Sequence, residues 1–127
     1  CQVLCIRLGA QMFDIYFSGA KNELSNLSIN EASDSAITVV VAGKGYPRDP
    51  IRGCKLNDIV DIKYANELKI FHAGTYFKKN FLYNSGGRIF SFTVRRKNLH
   101  EAKKIAYKEL DKIENDDIFY RKDIGEY

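Results

Sequence analysis

The chain has 127 residues, a formal net charge of +4, 45% hydrophobic residues and three cysteines, enough for one domain with a single core. The net charge is mild but unevenly distributed along the chain. Cysteines at positions 1, 5 and 54 give no even disulfide framework and no Cys-x-x-Cys pair, which favours a reducing environment, and buried or incidental thiols over zinc ligands. The chain opens on Cys1-Gln2-Val3 with an apolar run and no initiator Met, which suggests that it is part of something longer. Arg7, Gln11 and Asp14 interrupt that run, which argues against a signal peptide or a membrane span.

From Gln2 to Ser18 the run Val3, Leu4, Ile6, Leu8, Met12, Phe13, Ile15, Tyr16, Phe17 predicts one helix buried on more than one side, weakened at Gly9 and stopped at Gly19. Polar residues from Lys21 to Ser35 read as a linker and domain boundary. Ala36 to Val41 is a β-branched run suited to a buried central strand, ending in Gly43-Lys44-Gly45-Tyr46-Pro47. Two glycines around a lysine do not make a nucleotide phosphate loop here, because Pro47 and Pro50 follow where such a loop would open a helix. Further on, a turn at Arg52-Gly53, a strand over 59–63 with Val60 and Ile62 on one face, and a strand over Leu68 to Phe71 lead into His72-Ala73-Gly74-Thr75.

Lys78-Lys79-Asn80 reads as a turn. Phe81-Leu82-Tyr83 and Arg88 to Val94 then read as the two strands of a hairpin across Asn84-Ser85-Gly86-Gly87, with Phe90, Phe92 and Val94 facing the core and Ser91 and Thr93 facing out. Gly74, Gly86 and Gly87 suit turns whose backbone angles other residues avoid. Consecutive N–H groups at Ser85-Gly86-Gly87 can cradle an anion, and Arg88 adds a forked, permanent charge for phosphate or carboxylate. The other reading of the same residues is a plain turn with Arg88 in solvent, and His72 equally suits a hydrogen-bonded structural role. Asn98 with Glu101 forms a capping box for a helix whose apolar stripe is Leu99, Ala102, Ile105, Ala106, Leu110 and Ile113, with Lys103, Lys104 and Lys108 outward. The segment from Phe119 to Ile124 would tie the C-terminus to the sheet through its aromatics. These elements define an α+β fold with a mainly antiparallel sheet covered by an amphipathic helix.

Five blocks stand in one order: Gly45-Tyr46-Pro47, Phe71-His72-Ala73-Gly74-Thr75, Ser85-Gly86-Gly87-Arg88, Glu101-Ala102 and Phe119 to Gly125. In this the chain resembles the C-terminal part of glycinamide ribonucleotide synthetase (phosphoribosylamine–glycine ligase), an ATP-grasp enzyme. Two departures, Lys44 where the family commonly has a Gly-Gly-Tyr-Pro run and Arg95-Arg96-Lys97 where it has a Gly-Asp turn, concern surface charge. The resemblance implies a ligase of purine biosynthesis that joins glycine to 5-phosphoribosylamine in the cytoplasm through an acyl phosphate, using ATP and magnesium or manganese. Cys1-Gln2 would end the metal-binding signature of the ATP-grasp domain, so the N-terminal and ATP-grasp domains, the catalytic carboxylate, the nucleotide and the metal would belong upstream. Residues 1–34 would then be the terminal helix and linker of that domain and 35–127 the substrate-cleft domain. Its wall would be formed by Arg88, Gly87, Gly86, Ser85, His72, Gly74, Thr75, Gly45, Tyr46 and Pro47, with no catalytic or metal-binding residue and no nucleotide bound by the fragment alone.

A reading of another class uses the basic run from Phe77 to Lys97 (Lys78, Lys79, Arg88, Arg95, Arg96, Lys97), which holds no acidic residue and is interleaved with Phe81, Tyr83, Phe90 and Phe92. That would be a free-standing module for nucleic acid or phosphate, and inward-facing Phe90 and Phe92 count against it.

Overall fold

A computed structural model describes residues 1–30, 32–56 and 68–126; the strand expected over 59–63 lies outside them. The described elements are α1 (Gln2–Leu8), α2 (Gln11–Ala20), a short 3-10 turn (Leu24–Asn26), β1 (Ser35–Gly43), β2 (Leu68–His72), β3 (Thr75–Lys78), β4 (Phe81–Asn84), β5 (Arg88–Arg96), α3 (Leu99–Leu110) and β6 (Ile118–Tyr120). Four strands form an antiparallel sheet in the order β2-β5-β1-β6, and β3 and β4 form a separate two-stranded ribbon. The α+β class and the antiparallel sheet under a helix are as the sequence predicts.

The core is laid down by alternation. Ile37, Val39 and Val41 of β1 stand opposite Val94, Phe92 and Phe90 of β5, and all six are buried. Helix α3 covers this face with Ala102, Ala106 and Leu110, each fully buried. Two alanines at i and i+4 give the helix a flat side that sits close to the sheet. Its start is as expected: Asn98 Oδ1 accepts from the Glu101 N–H at 2.9 Å, and the Asn98 amide donates to Glu101 Oε1 at 2.8 Å. The closing segment also docks as predicted, since β6 pairs with β1, Tyr120 donates to Asp111 Oδ1 at 2.6 Å, and Tyr107 donates to the Arg121 carbonyl at 2.9 Å.

Ser91 and Thr93 do not face solvent; they are 2% and 0% exposed. The reason is that the second face of the sheet is covered too. Thr93 shares a hydroxyl hydrogen bond of 2.9 Å with Thr38, and Arg95 donates to the Ile6 carbonyl of α1 at 2.9 Å while pairing with Asp34. Arg7 of α1 reaches the same carboxylate and donates to the Ala32 carbonyl at 2.6 Å. Thr93 and Arg95 of β5 are therefore met by partners on β1, at Asp34 and on α1.

The single helix expected over Gln2 to Ser18 is two. Gly9 takes φ +56° and ψ −128°, outside any helix, and the chain restarts at Gln11. None of their residues is buried, and Phe13 (70% exposed), Tyr16, Phe17 and Leu4 remain open, with Phe13 and Phe17 stacked ring on ring.

The hairpin expected between β4 and β5 does not form. Lys79 and Asn80 both take left-handed angles (φ +48° and +65°), the signature of a two-residue hairpin turn, and they join β4 back to β3. Tyr76 and Phe77 therefore stand in a strand, opposite Tyr83 and Leu82 of β4. Ser85-Gly86-Gly87 is a passage from the small ribbon to the main sheet.

Candidate functional site: three loops at one end of the sheet

Three loops meet where β1, β2 and β4 end and β5 begins. The first leaves β1 at Gly43 and is closed by Tyr46 N–H to Gly43 O (3.0 Å), Asp49 N–H to Gly45 O (3.0 Å) and Ile51 N–H to Lys44 O (2.9 Å). Gly45 has φ +89°, and a Cβ there would stand 2.1 Å from the Asp49 carbonyl oxygen, so only glycine lets the loop close on itself. The Tyr46–Pro47 peptide is cis.

The second loop, 72–75, is anchored to β5 by Ala73 N–H to Ile89 O (2.9 Å) and Gly74 N–H to Arg88 O (3.0 Å). At its mouth His72 Nδ1 and Thr75 Oγ1 share a hydrogen bond of 3.1 Å.

The third loop, 85–88, runs between the other two. Ser85 N–H donates to Gly74 O at 2.8 Å, and Gly87 O accepts from Gly43 N–H at 2.8 Å. Neither Gly74, Gly86 nor Gly87 takes a left-handed φ. The backbone freedom expected of them is not what the site uses; it uses their missing side chains. A Cβ on Gly74 would fall 2.8 Å from Gly86 N and 2.9 Å from Arg88 O, and one on Gly87 would fall 2.5 Å from Tyr46 Cδ2 and 3.3 Å from Pro50 Cγ. Glycine at these positions lets backbone meet backbone and lets the Tyr46 ring lie on Gly87.

The residues singled out in the sequence (Gly45, Tyr46 and Pro47; His72, Gly74 and Thr75; Ser85, Gly86, Gly87 and Arg88) thus come from separate stretches to one end of the sheet. The cradle they offer differs from three consecutive donors. Ser85 N–H is spent on Gly74, whereas among the described residues the Gly86 and Gly87 N–H groups meet no acceptor. Arg88 is exposed, and among the described residues its guanidinium makes no hydrogen bond or ion pair. Lys44, Arg48 and Arg52 on the first loop and its continuation are exposed, with Asp49 the acidic residue between them. Two adjacent amide donors beside a free guanidinium suit a phosphate or carboxylate.

The sequence reading passed over Asn84, which is 0% exposed at the end of β4 and bonds to Ile51 and Cys54. A polar residue closing a strand read as part of the turn, and nothing local marks it as buried. Cys54 beside it has its thiol pKa pushed up, first by burial and then by the charge of Asp117. The basic run from Phe77 to Lys97 is not one exposed stripe. Arg95 is held under α1 by Asp34, Phe90 and Phe92 are 1% and 0% exposed, and Lys78 and Lys79 sit at the ribbon tip near exposed Phe77. Among the described residues no three His, Cys, Asp or Glu side chains gather into a metal-binding group, and no helix is long and apolar enough to cross a membrane.

An antiparallel sheet under one helix, with a glycine-packed cluster of loops at its end, defines the chain as an α+β module. Residues 36–127 match the family model described as phosphoribosylglycinamide synthetase, C domain, and the chain belongs to that family. It is 37% identical over 125 residues to a phosphoribosylamine–glycine ligase of Agrobacterium fabrum and 33% identical over 125 residues to one of Brucella melitensis. These alignments cover 98% of this chain and 29% of each ligase. A bifunctional purine biosynthetic protein of Dictyostelium discoideum is 35% identical over 126 residues, 16% of its length. The crystal structure of phosphoribosylamine–glycine ligase from Thermotoga maritima superposes with a TM-score of 0.77 at 26% identity, covering 96% of this chain and 29% of that one. The chain therefore spans less than a third of the relatives that it matches.

Proposed function

We propose that this chain is the C-terminal portion of an ATP-dependent ligase of purine biosynthesis that joins glycine to 5-phosphoribosylamine in the cytoplasm, and that it forms one wall of the substrate cleft. The observation that carries the reading is the convergence of the 43–50, 72–75 and 85–88 loops. Among the described residues they present the Gly86 and Gly87 N–H groups and the Arg88 guanidinium unpaired, in a chain that aligns with such ligases over 98% of its length.

The reaction runs through anionic species, so fixed donors at the wall serve it better than a proton shuttle. Arg88 holds a phosphate or carboxylate through its planar fork, and the two glycine amides add preset dipoles. Tyr46 and Pro47 shape the wall on one side, and His72 and Thr75 do so on the other. ATP, when bound, supplies the phosphoryl group that activates the glycine carboxylate. As the resemblance to ATP-grasp ligases implies, metal and nucleotide are assigned to the preceding portion of the ligase. Residues 1–34 belong with that portion, and residues 35–127 are the cleft domain. The open Phe13, Tyr16 and Phe17 side chains of α2 are where the ATP-grasp part is proposed to rest.

The test compares the 127-residue chain with a full-length ligase carrying it. The full-length protein is expected to release ADP only with glycine and phosphoribosylamine both present, and the chain alone to show no ATP–magnesium binding at micromolar concentration by calorimetry. Micromolar binding by the chain alone would overturn the division of labour, and a full-length protein without ligation would overturn the function.

A further inference from the structure

We infer that Asn84 is a positioning residue for this cleft wall: its buried amide sets the height of the first loop over the third, and so where Tyr46 and Pro50 stand relative to Gly87 and Arg88. The inference rests on the cleft-wall reading above.

Asn84 is wholly buried, and a buried amide is tolerated only when its donors and acceptors are met. Here they are met by one short segment. Oδ1 accepts from the Cys54 N–H at 2.8 Å and the Cys54 thiol at 3.0 Å, and Nδ2 donates to the Ile51 carbonyl at 2.7 Å. The backbone repeats the connection, with Asn84 N–H to Cys54 O at 3.1 Å and Gly53 N–H to Asn84 O at 2.9 Å. Ile51 closes the first loop through its own N–H to Lys44 O at 2.9 Å, so the atom that Asn84 holds belongs to the residue on which that loop ends. Gly43 packs onto the same bond, since a Cβ there would lie 2.7 Å from Ile51 O and 3.4 Å from Asn84 Nδ2.

Position in the chain does the rest. Asn84 directly precedes Ser85-Gly86-Gly87, and its cross-strand partner in the ribbon is Thr75 of the second loop. One side chain is thus bonded to the first loop, continuous with the third and paired with the second. Only an amide supplies a donor to Ile51 and an acceptor for Cys54 from one planar group. Aspartate keeps the shape but turns an oxygen on the Ile51 carbonyl, and leucine fills the space with neither.

The experiment uses the full-length ligase with Asn84→Asp and Asn84→Leu. Two readouts separate positioning from general stability. Steady-state kinetics are expected to show KM rising roughly tenfold for the substrate whose KM Arg88→Ala also raises, with KM for ATP unchanged. Amide exchange is expected to quicken at residues 44–51 while β1 and β5 stay protected. An unchanged substrate KM with only a lower melting temperature would overturn the inference, as would exchange that quickens uniformly across the sheet. Should neither variant accumulate as folded protein, Asn84→Thr keeps one hydroxyl donor in a smaller side chain, and its KM is expected to rise less but in the same substrate; no rise would again overturn the inference. Failure here is distinct from failure of the function. A wild-type enzyme that does not ligate refutes the reaction, whereas one that ligates and responds at Arg88 but not at Asn84 refutes this inference alone.

Discussion

Gly74→Ala is the sharpest perturbation of the loop cluster, because the atoms in its way are backbone. The added Cβ would meet Gly86 N at 2.8 Å, Gly86 Cα at 2.9 Å and Arg88 O at 2.9 Å, all closer than real Cβ contacts come. No side chain can swing aside. The 72–75 and 85–88 loops must separate, which puts at risk the Ser85 N–H to Gly74 O and Gly74 N–H to Arg88 O bonds that join them. Overpacking of this kind commonly costs about 1–3 kcal/mol, and for a sheet domain near 100 residues each kcal/mol moves Tm by roughly 4–8 °C. Gly87→Ala gives a graded comparison. Its clash is with the Tyr46 ring at 2.5 Å, and that side chain is 38% exposed and can turn outward, so stability should fall less while Tyr46 leaves its place. Gly86→Ala meets only Gly74 Cα at 3.6 Å, an ordinary contact, and should be near neutral. Thermal melting of the three variants reads the order directly. A Gly74→Ala protein as stable as wild type, or less affected than Gly86→Ala, would refute the packing of these two loops.

Asn98→Ala removes the side-chain cap of α3 and should cost about 1 kcal/mol, read in chemical denaturation, with ligase kinetics untouched. Tyr120 predicts an alkaline effect. Burial, together with its hydrogen bond to Asp111, pushes its pKa from 10.0 up to about 12, so the folded state keeps the phenol proton that the unfolded chain releases. Its contribution is therefore full below pH 10 and lost as pH rises to about 12, and Tyr120→Phe should flatten that fall in denaturation midpoints measured across the same window.

The sheet and α3 were legible in the sequence because alternation and helical spacing are local. Ile37, Val39 and Val41 declare a strand by themselves, and Asn98 with Glu101 declares a helix start. Pairing was less legible. Arg88 to Val94 follows Phe81-Leu82-Tyr83 closely enough to suggest a hairpin, yet Lys79-Asn80 forms the tight turn and sends β4 back to β3. The burial of Ser91 and Thr93 depended on what lay across the sheet, and Asp34 with Arg7 and Arg95 brings α1 there from far away in sequence. Composition marks Gly9 as a weak point of a helix, but only its φ of +56° and ψ of −128° show that it ends one. Of the candidate site, the residues could be named from their blocks. Their close approach through Gly74 and Gly87, and the part played by Asn84, exist only once three distant loops are folded together.

The central claim is that the Arg88 guanidinium, free of protein partners among the described residues, holds an anionic group of a substrate at the cleft wall. Steady-state kinetics of Arg88→Ala in the full-length ligase test it most directly. A charge-assisted hydrogen bond is worth about 1.5–3 kcal/mol, so kcat/KM should fall roughly ten- to hundredfold. Arg88→Lys should recover only part of the loss, since an ammonium keeps the charge without the fork, and Tm should stay at the wild-type value. An Ala variant with wild-type kcat/KM at low substrate, or one whose loss is matched by a collapse in Tm, would contradict the claim.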